Sequence, residues 1–131
     1  MPGFTEEGTC RAPAEEVWKL LYDPDRYMEW WTGTDRVEVG EEGVIRYVPD
    51  NPGFAYPTAI ATSESGGRVT ISCVLSDIVY DWTLSPSPPG CAVRLRVEIP
   101  EELAAKLEGQ MRDMRSAFGR LVEAAEREAA V

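Results

Sequence analysis

Four side chains in the middle of the chain could do chemistry: Arg46, Tyr47, Tyr56 and Asp77. An arginine turned into an apolar pocket could hold a carboxylate, phosphate or enolate oxygen with its planar fork of donors. A tyrosine hydroxyl there could donate to a carbonyl or act as an acid. A carboxylate on the inner face of a sheet would be pushed toward its neutral form and could serve as acid or base. The 131 residues contain no histidine, which excludes every mechanism built on a histidine base, including Ser-His-Asp and Cys-His arrangements. Cys10, Cys73 and Cys91 are far apart in sequence and make no C-x-x-C pair. They read as reduced, buried small residues, and neither a metal nor a cofactor is expected.

What these groups can do depends on the strands that carry them. From Asp35 to Pro100 the chain reads as closely spaced strands with short turns, an antiparallel meander. In the stretch Val44 to Pro49, Arg46 alternates with Val44 and Val48, opposite Ile45 and Tyr47. Either Arg46 or Tyr47 therefore points inward, and the pattern does not say which. Turns are expected at Glu41-Glu42-Gly43 and at Asp50-Asn51-Pro52-Gly53, and a hairpin loop at Glu64 to Gly67. In Arg68 to Asp77, Val69, Ile71, Cys73 and Leu75 share one face. Strict alternation adds Asp77 to that face, whereas a bulge or strand end at Ser76-Asp77 would leave it solvated. Tyr80 and Trp82 share a face in the next strand. Ser85 to Gly90 reads as a loop, and Cys91 to Ile99 alternates most cleanly, with Val93, Leu95, Val97 and Ile99 facing in.

Helices frame this sheet. After a first strand at Gly3 to Arg11, where Glu6 falls among the inward positions, a helix begins at Pro13 with Glu15 and Glu16 in its first turn. Val17, Leu20 and Leu21 form its buried face. Asp23-Pro24 caps and starts a second helix carrying Tyr27, Trp30 and Trp31. Adjacent on a helix, Trp30 and Trp31 should not both be fully buried, so one should face a cavity mouth. A final helix runs from Pro100 to about Ala129, with Leu103, Leu107, Met111, Met114, Phe118, Leu121, Val122 and Ala125 in one stripe. Gly109 and Gly119 within it read either as sites of close approach or bend, or as merely tolerated. One helix cannot cover a seven-stranded sheet, so a hollow is expected, lined by Trp30, Trp31, Tyr56, Trp82, Met111, Met114 and Phe118.

The formal charge of −10 disfavours nucleic acid and anionic lipid surfaces as partners. A hydrophobic content of 44% is too high for disorder and ordinary for one globular domain over residues 1–131. No apolar run approaches the roughly 20 residues a membrane span needs. The start MPGFTEEGTC lacks the basic and apolar segments of a secretion signal, so a cytoplasmic location is expected.

The stretch APAEEVWKLLYDPDRYMEWW resembles the polyketide cyclase/dehydrase branch of the START-like helix-grip superfamily (SRPBCC type). That family shows A-P-x-x-x-V-W followed by D-P-x-x-x-x-x-W, matched here by Ala12, Pro13, Val17 and Trp18, then Asp23, Pro24 and Trp30 or Trp31. The resemblance covers essentially the whole chain. It implies an α+β helix-grip fold, in the order β-α-α-β-β-β-β-β-β-α. A curved seven-stranded antiparallel sheet would grip the long helix, with an apolar cavity between them.

Three functions follow from that reading. The first is binding or transport of an apolar, aromatic or polyketide- or lipid-like molecule. The second is a cofactor-free aromatase/cyclase using Arg46, Tyr47, Tyr56 and Asp77, since the superfamily spans many functions on one fold. The third is a co-chaperone-like interaction module presenting an exposed tryptophan. A homodimer is left open. An inward arginine near a tyrosine hydroxyl would favour the second, and a wholly apolar cavity would exclude it.

Overall fold

The computed structural model describes residues 2–41, 43–49, 55–63 and 67–130. The turn expected at Asp50 to Gly53, position 42 and the hairpin tip at 64–66 lie outside the described residues. The sheet contains β1 (Gly3–Cys10), β2 (Arg36–Gly40), β3 (Gly43–Tyr47), β4 (Tyr56–Thr62), β5 (Arg68–Cys73), β6 (Val79–Ser87) and β7 (Gly90–Glu98). Its spatial order is β1-β7-β6-β5-β4-β3-β2, antiparallel throughout. The meander thus runs from β2 to β7, and the first strand closes onto the last. The expected α+β helix-grip architecture is present.

Burial divides the sheet in two. On β5, β6 and β7, Val69, Ile71, Tyr80, Trp82, Leu84, Cys91, Val93, Leu95 and Val97 are buried. No residue of β2, β3 or β4 is fully buried. Those three strands form a wing that extends beyond the core. Cys10 and Cys91 face each other directly across β1 and β7. Burial raises the Cys10 thiol and pushes the Cys91 thiol up to about 11, which makes both poor nucleophiles.

The helical corner is built by α1 (Ala14–Tyr22), a 3₁₀ turn at Pro24–Arg26 and α2 (Tyr27–Trp30). Val17, Leu20 and Leu21 bury the inner face of α1. The Asp23 carboxylate accepts the Asp25 N–H at 3.0 Å and starts the next turn, as its cap role requires. The last carbonyls of a helix lack partners within the helix. Here the Lys19 carbonyl accepts the Asp23 N–H, the Leu20 carbonyl accepts the Trp30 indole N–H at 2.9 Å, and the Leu21 carbonyl accepts the Tyr27 hydroxyl at 2.9 Å. Both donors belong to fully buried residues. They therefore seal the end of α1 inside the core.

The C-terminal segment opens with a 3₁₀ stretch, Glu101–Lys106, in which Leu103 leaves helical geometry. α3 then runs Leu107–Ala129. One flank is tied to β1 through Arg115–Glu6 at 2.6 Å and through the Arg11 N–H to Glu126 at 2.9 Å. The inward position of Glu6 is thus explained by a partner on the helix. The other flank is tied to the corner: Arg120 donates to the Met28 and Glu29 carbonyls, Ser116 meets Thr32, and Arg26 is shared by Glu29 and Glu128.

Three expectations are corrected. Strand β5 ends at Cys73, so Leu75 is 59% exposed in a turn and does not face inward. Strand β6 continues through Ser85-Pro86-Ser87, where β7 pairs with it out to Ser87 and Gly90, so the expected loop is shorter. Trp30 and Trp31 are both buried, at 0% and 3% exposure. Trp31 is not in the helix; its extended backbone lets its ring stack on Trp30 at 5.5 Å and 9°.

Replacing Tyr27 with Phe leaves the Leu21 carbonyl buried without a partner, and a loss of about 1–3 kcal/mol is expected in chemical denaturation. Gly119 is exposed within α3, and an added Cβ would meet nothing within 4 Å. It is tolerated rather than required, so Gly119→Ala should raise stability by about 1 kcal/mol in the same assay.

Candidate functional site

The inward stripe of the C-terminal segment is unevenly covered. Met114, Ala117, Leu121, Ala124 and Ala125 are buried, while Leu103, Leu107 and Met111 stay half-exposed. The facing wing shows the same incompleteness. Val37, Val44, Arg46, Tyr56 and Thr58 lie on its inner face, as the strand register fixes, and all are half-buried. The wing and this part of the C-terminal segment are thus both incompletely covered, next to the aromatic cluster of Trp31 and Tyr80.

Register settles the orientation that alternation left open. Arg46 pairs with Val37 and with Tyr56, on the inner face, and Tyr47 points outward. The Arg46 guanidinium lies over the Trp31 ring, 4.1 Å from its centroid, and its Nη1 donates to Thr34 Oγ1 at 3.4 Å. Among the described residues it has no carboxylate partner. A cation on an indole face is attracted by the ring quadrupole and keeps its outer donors available. Tyr47 instead joins an outer latch, with Arg36 4.2 Å from its ring and its hydroxyl donating to Glu38 at 3.2 Å.

Behind Trp31 stands Tyr80, edge-on at 5.0 Å. Its hydroxyl donates to Gln110 Oε1 on α3 at 2.9 Å. Burial pushes the Tyr80 phenol up to about 12, and the nearby Arg46 charge pulls partly against that. At neutral pH Tyr80 is therefore a hydrogen-bond donor, not a base. One cation, one buried phenol and one amide thus follow one another around Trp31. Such a set can hold a carbonyl oxygen or a developing enolate.

The remaining sequence candidates divide by location. Tyr56 is directly across from Arg46, and Met111 lies on the half-exposed stripe. Trp30, Trp82 and Met114 are core residues. Trp82 meets Trp30 edge-on at 5.5 Å and stacks on Phe118 at 5.9 Å, so these rings form the inner wall. Phe118 itself sits over Gly8 of β1, where an added Cβ would come within 3.0 Å of its ring. Asp77 is apart from all of them. It is exposed in the turn after β5 at φ 58°, a left-handed geometry that aspartate tolerates better than most residues, and its N–H bonds to the Cys73 carbonyl at 2.8 Å. The reading that made it a strand end holds, and the inward acid is lost.

Sequence reasoning weighed Tyr80 as a further candidate sharing a face with Trp82, and passed over Gln110 as a site residue. Gln110 had a visible signal: three residues after Leu107 and four before Met114, it is a polar residue on an apolar stripe.

Residues 1–126 match the family described as "Polyketide cyclase / dehydrase and lipid transport". The chain belongs to this family. Solved structures agree in fold. Protein NE0264 from Nitrosomonas europaea superposes with TM-score 0.74 at 14% identity, covering 98% of this chain and 97% of that one. Protein CV1439 from Chromobacterium violaceum gives 0.73 at 17% identity, with coverages of 96% and 99%. The di-domain aromatase/cyclase StfQ of the steffimycin biosynthetic pathway gives 0.74 at 14% identity, and this chain matches 52% of it. No curated protein matches the chain by sequence. No helix among the described residues is long and apolar enough to cross a membrane, and none of their His, Cys, Asp and Glu side chains form a group of three or more that could hold a metal ion.

Because the folded-state value of Tyr80 lies above the ordinary 10.0, its contribution to stability is complete below pH 10 and is lost as pH rises through about 12. Absorbance titration at 295 nm should show a late phenolate step in the wild type that Tyr80→Phe removes. A Tyr80 phenolate formed at the ordinary tyrosine value would contradict this burial.

Proposed function

We propose that this protein binds an apolar, ring-containing small molecule of polyketide or lipid-like character in the recess between the β2–β4 wing and the first half of α3. Arg46 holds one oxygen of that molecule. The observation that carries this reading is the inward Arg46, laid on Trp31 with no carboxylate partner among the described residues. A half-buried guanidinium without a carboxylate partner can take an oxygen-rich ligand, and a mostly apolar surround with few placed polar groups is the usual form of a small-molecule site. The family description, which joins cyclases and dehydrases with lipid transport, is consistent with it.

A second reading, a polyketide aromatase/cyclase, is favoured by the Arg46 charge near the Tyr80 phenol. Ring closure of a poly-β-ketone needs an enolate oxygen stabilised and a carbonyl polarised. The Arg46 guanidinium could supply the first without histidine, and the Tyr80 phenol the second once its hydroxyl turns from Gln110 to the substrate. The interaction-module reading loses its main support, because Trp30 and Trp31 are both buried.

Native mass spectrometry of the protein purified from its own host tests the binding reading. The wild type should retain a small molecule. Arg46→Met should bind that molecule about 10- to 100-fold more weakly, the range expected for one charge-assisted hydrogen bond. A bare wild type, or equal retention by Arg46→Met, would overturn the proposal. Turnover of a poly-β-ketone by the wild type and not by Tyr80→Phe, with binding intact, would select the enzyme.

A further inference from the structure

A second recess lies on the far side of the aromatic wall, at the seam between α1 with its following 3₁₀ turn and the end of β4. It encloses about 550 Å³ and is lined by Trp18, Lys19, Tyr22, Pro24, Ile60 and Thr62, with Asp23 and Arg26 at the rim. None of these residues belongs to the Arg46 site. Along β4, Ile60 and Thr62 are four and six residues from Tyr56, or roughly 13–20 Å at strand rise.

Two features set this recess apart from an ordinary surface dent. Trp18 and Tyr22, one helical turn apart, stack face to face at 4.6 Å and 8°, and Tyr22 is still 50% exposed. The Trp18 indole N–H is buried and has no hydrogen-bond partner, a state that buried donors seldom keep. Two charged groups at the seam are already engaged: Asp23 caps the 3₁₀ turn, and Arg26 is held by Glu29 and Glu128. Lys19 is exposed and only loosely paired with Glu16 at 3.4 Å.

We propose that this seam is a second ligand site, taking a planar aromatic acid. The stacked pair and Ile60 offer flat apolar surface to the rings. The Trp18 N–H supplies a donor that needs an acceptor, and the Lys19 ammonium at the rim favours a negative one. The volume lies within the range of small-molecule sites and suits two or three fused rings. The site stands independently of Arg46 and of what the first recess binds.

Titration with 1-naphthoate, followed by ¹H–¹⁵N NMR of the indole N–H signals, tests this. Running it in the Arg46→Met variant separates it from the other recess. The Trp18 signal should shift saturably, while the Trp30 signal, tied to the Leu20 carbonyl, stays in place. Trp18→Phe keeps an aromatic ring but loses the donor, and should weaken binding about fivefold by isothermal titration calorimetry. Thr62→Trp fills the recess from an exposed position and should abolish it. A Trp18 signal unmoved at millimolar naphthoate, or a shift that persists in Thr62→Trp, would overturn the proposal.

Discussion

Two hydrogen bonds at the end of α1 hold the rest of the structure in place. The Leu20 and Leu21 carbonyls would be buried acceptors without partners, an expensive condition in a core. The indole of Trp30 and the hydroxyl of Tyr27 satisfy them from the next helical turn. That closure fixes α2 against α1 and sets where α2 ends. Trp31 then leaves the helix in extended geometry and turns its ring toward Trp30, Tyr80 and Arg46. The position of the Arg46 guanidinium thus depends, through one aromatic stack, on carbonyls of a helix it does not touch.

The charge distribution fits a site of this kind. The protein carries a formal charge of −10, yet the inner recess presents a cation. Several surface carboxylates pair with nearby arginines, as in Arg68–Asp81 and Arg115–Glu6. Exposed pairs of this type add little stability. They do keep the arginines of the outer surface engaged locally, which leaves Arg46 as the inward-facing donor of the wing.

Much of the fold was legible in sequence because its signals are local. Pro13 and Asp23-Pro24 mark real helix starts, and the alternation in Cys91 to Ile99 identifies β7. The misreadings arose where tertiary pairing decides. Alternation carried Leu75 and Asp77 past Cys73, but β5 pairs with β6 only to Ser72, and the chain turns at once. Pro86 looked like a loop residue, yet pairing with β7 carries the strand through it. For the site, Arg46 and Tyr56 were visible as polar residues on strands, but only register across β2, β3 and β4 puts them on the inner face. Trp30 and Trp82 looked like lining because their burial depends on stacking among residues far apart in the chain. Tyr80 stood out no more than the other strand hydroxyls for the same reason: its partner, Gln110, is thirty residues away.

The split between a wing without fully buried residues and a core on β5–β7 has a consequence for how such a protein can change. Val37, Arg46 and Tyr56 sit on strands that carry no fully buried residue. Substitutions there can alter shape and polarity with small effects on stability, while the core and the sealed corner stay fixed. A lineage built this way can explore new ligands by drift along one edge of the sheet.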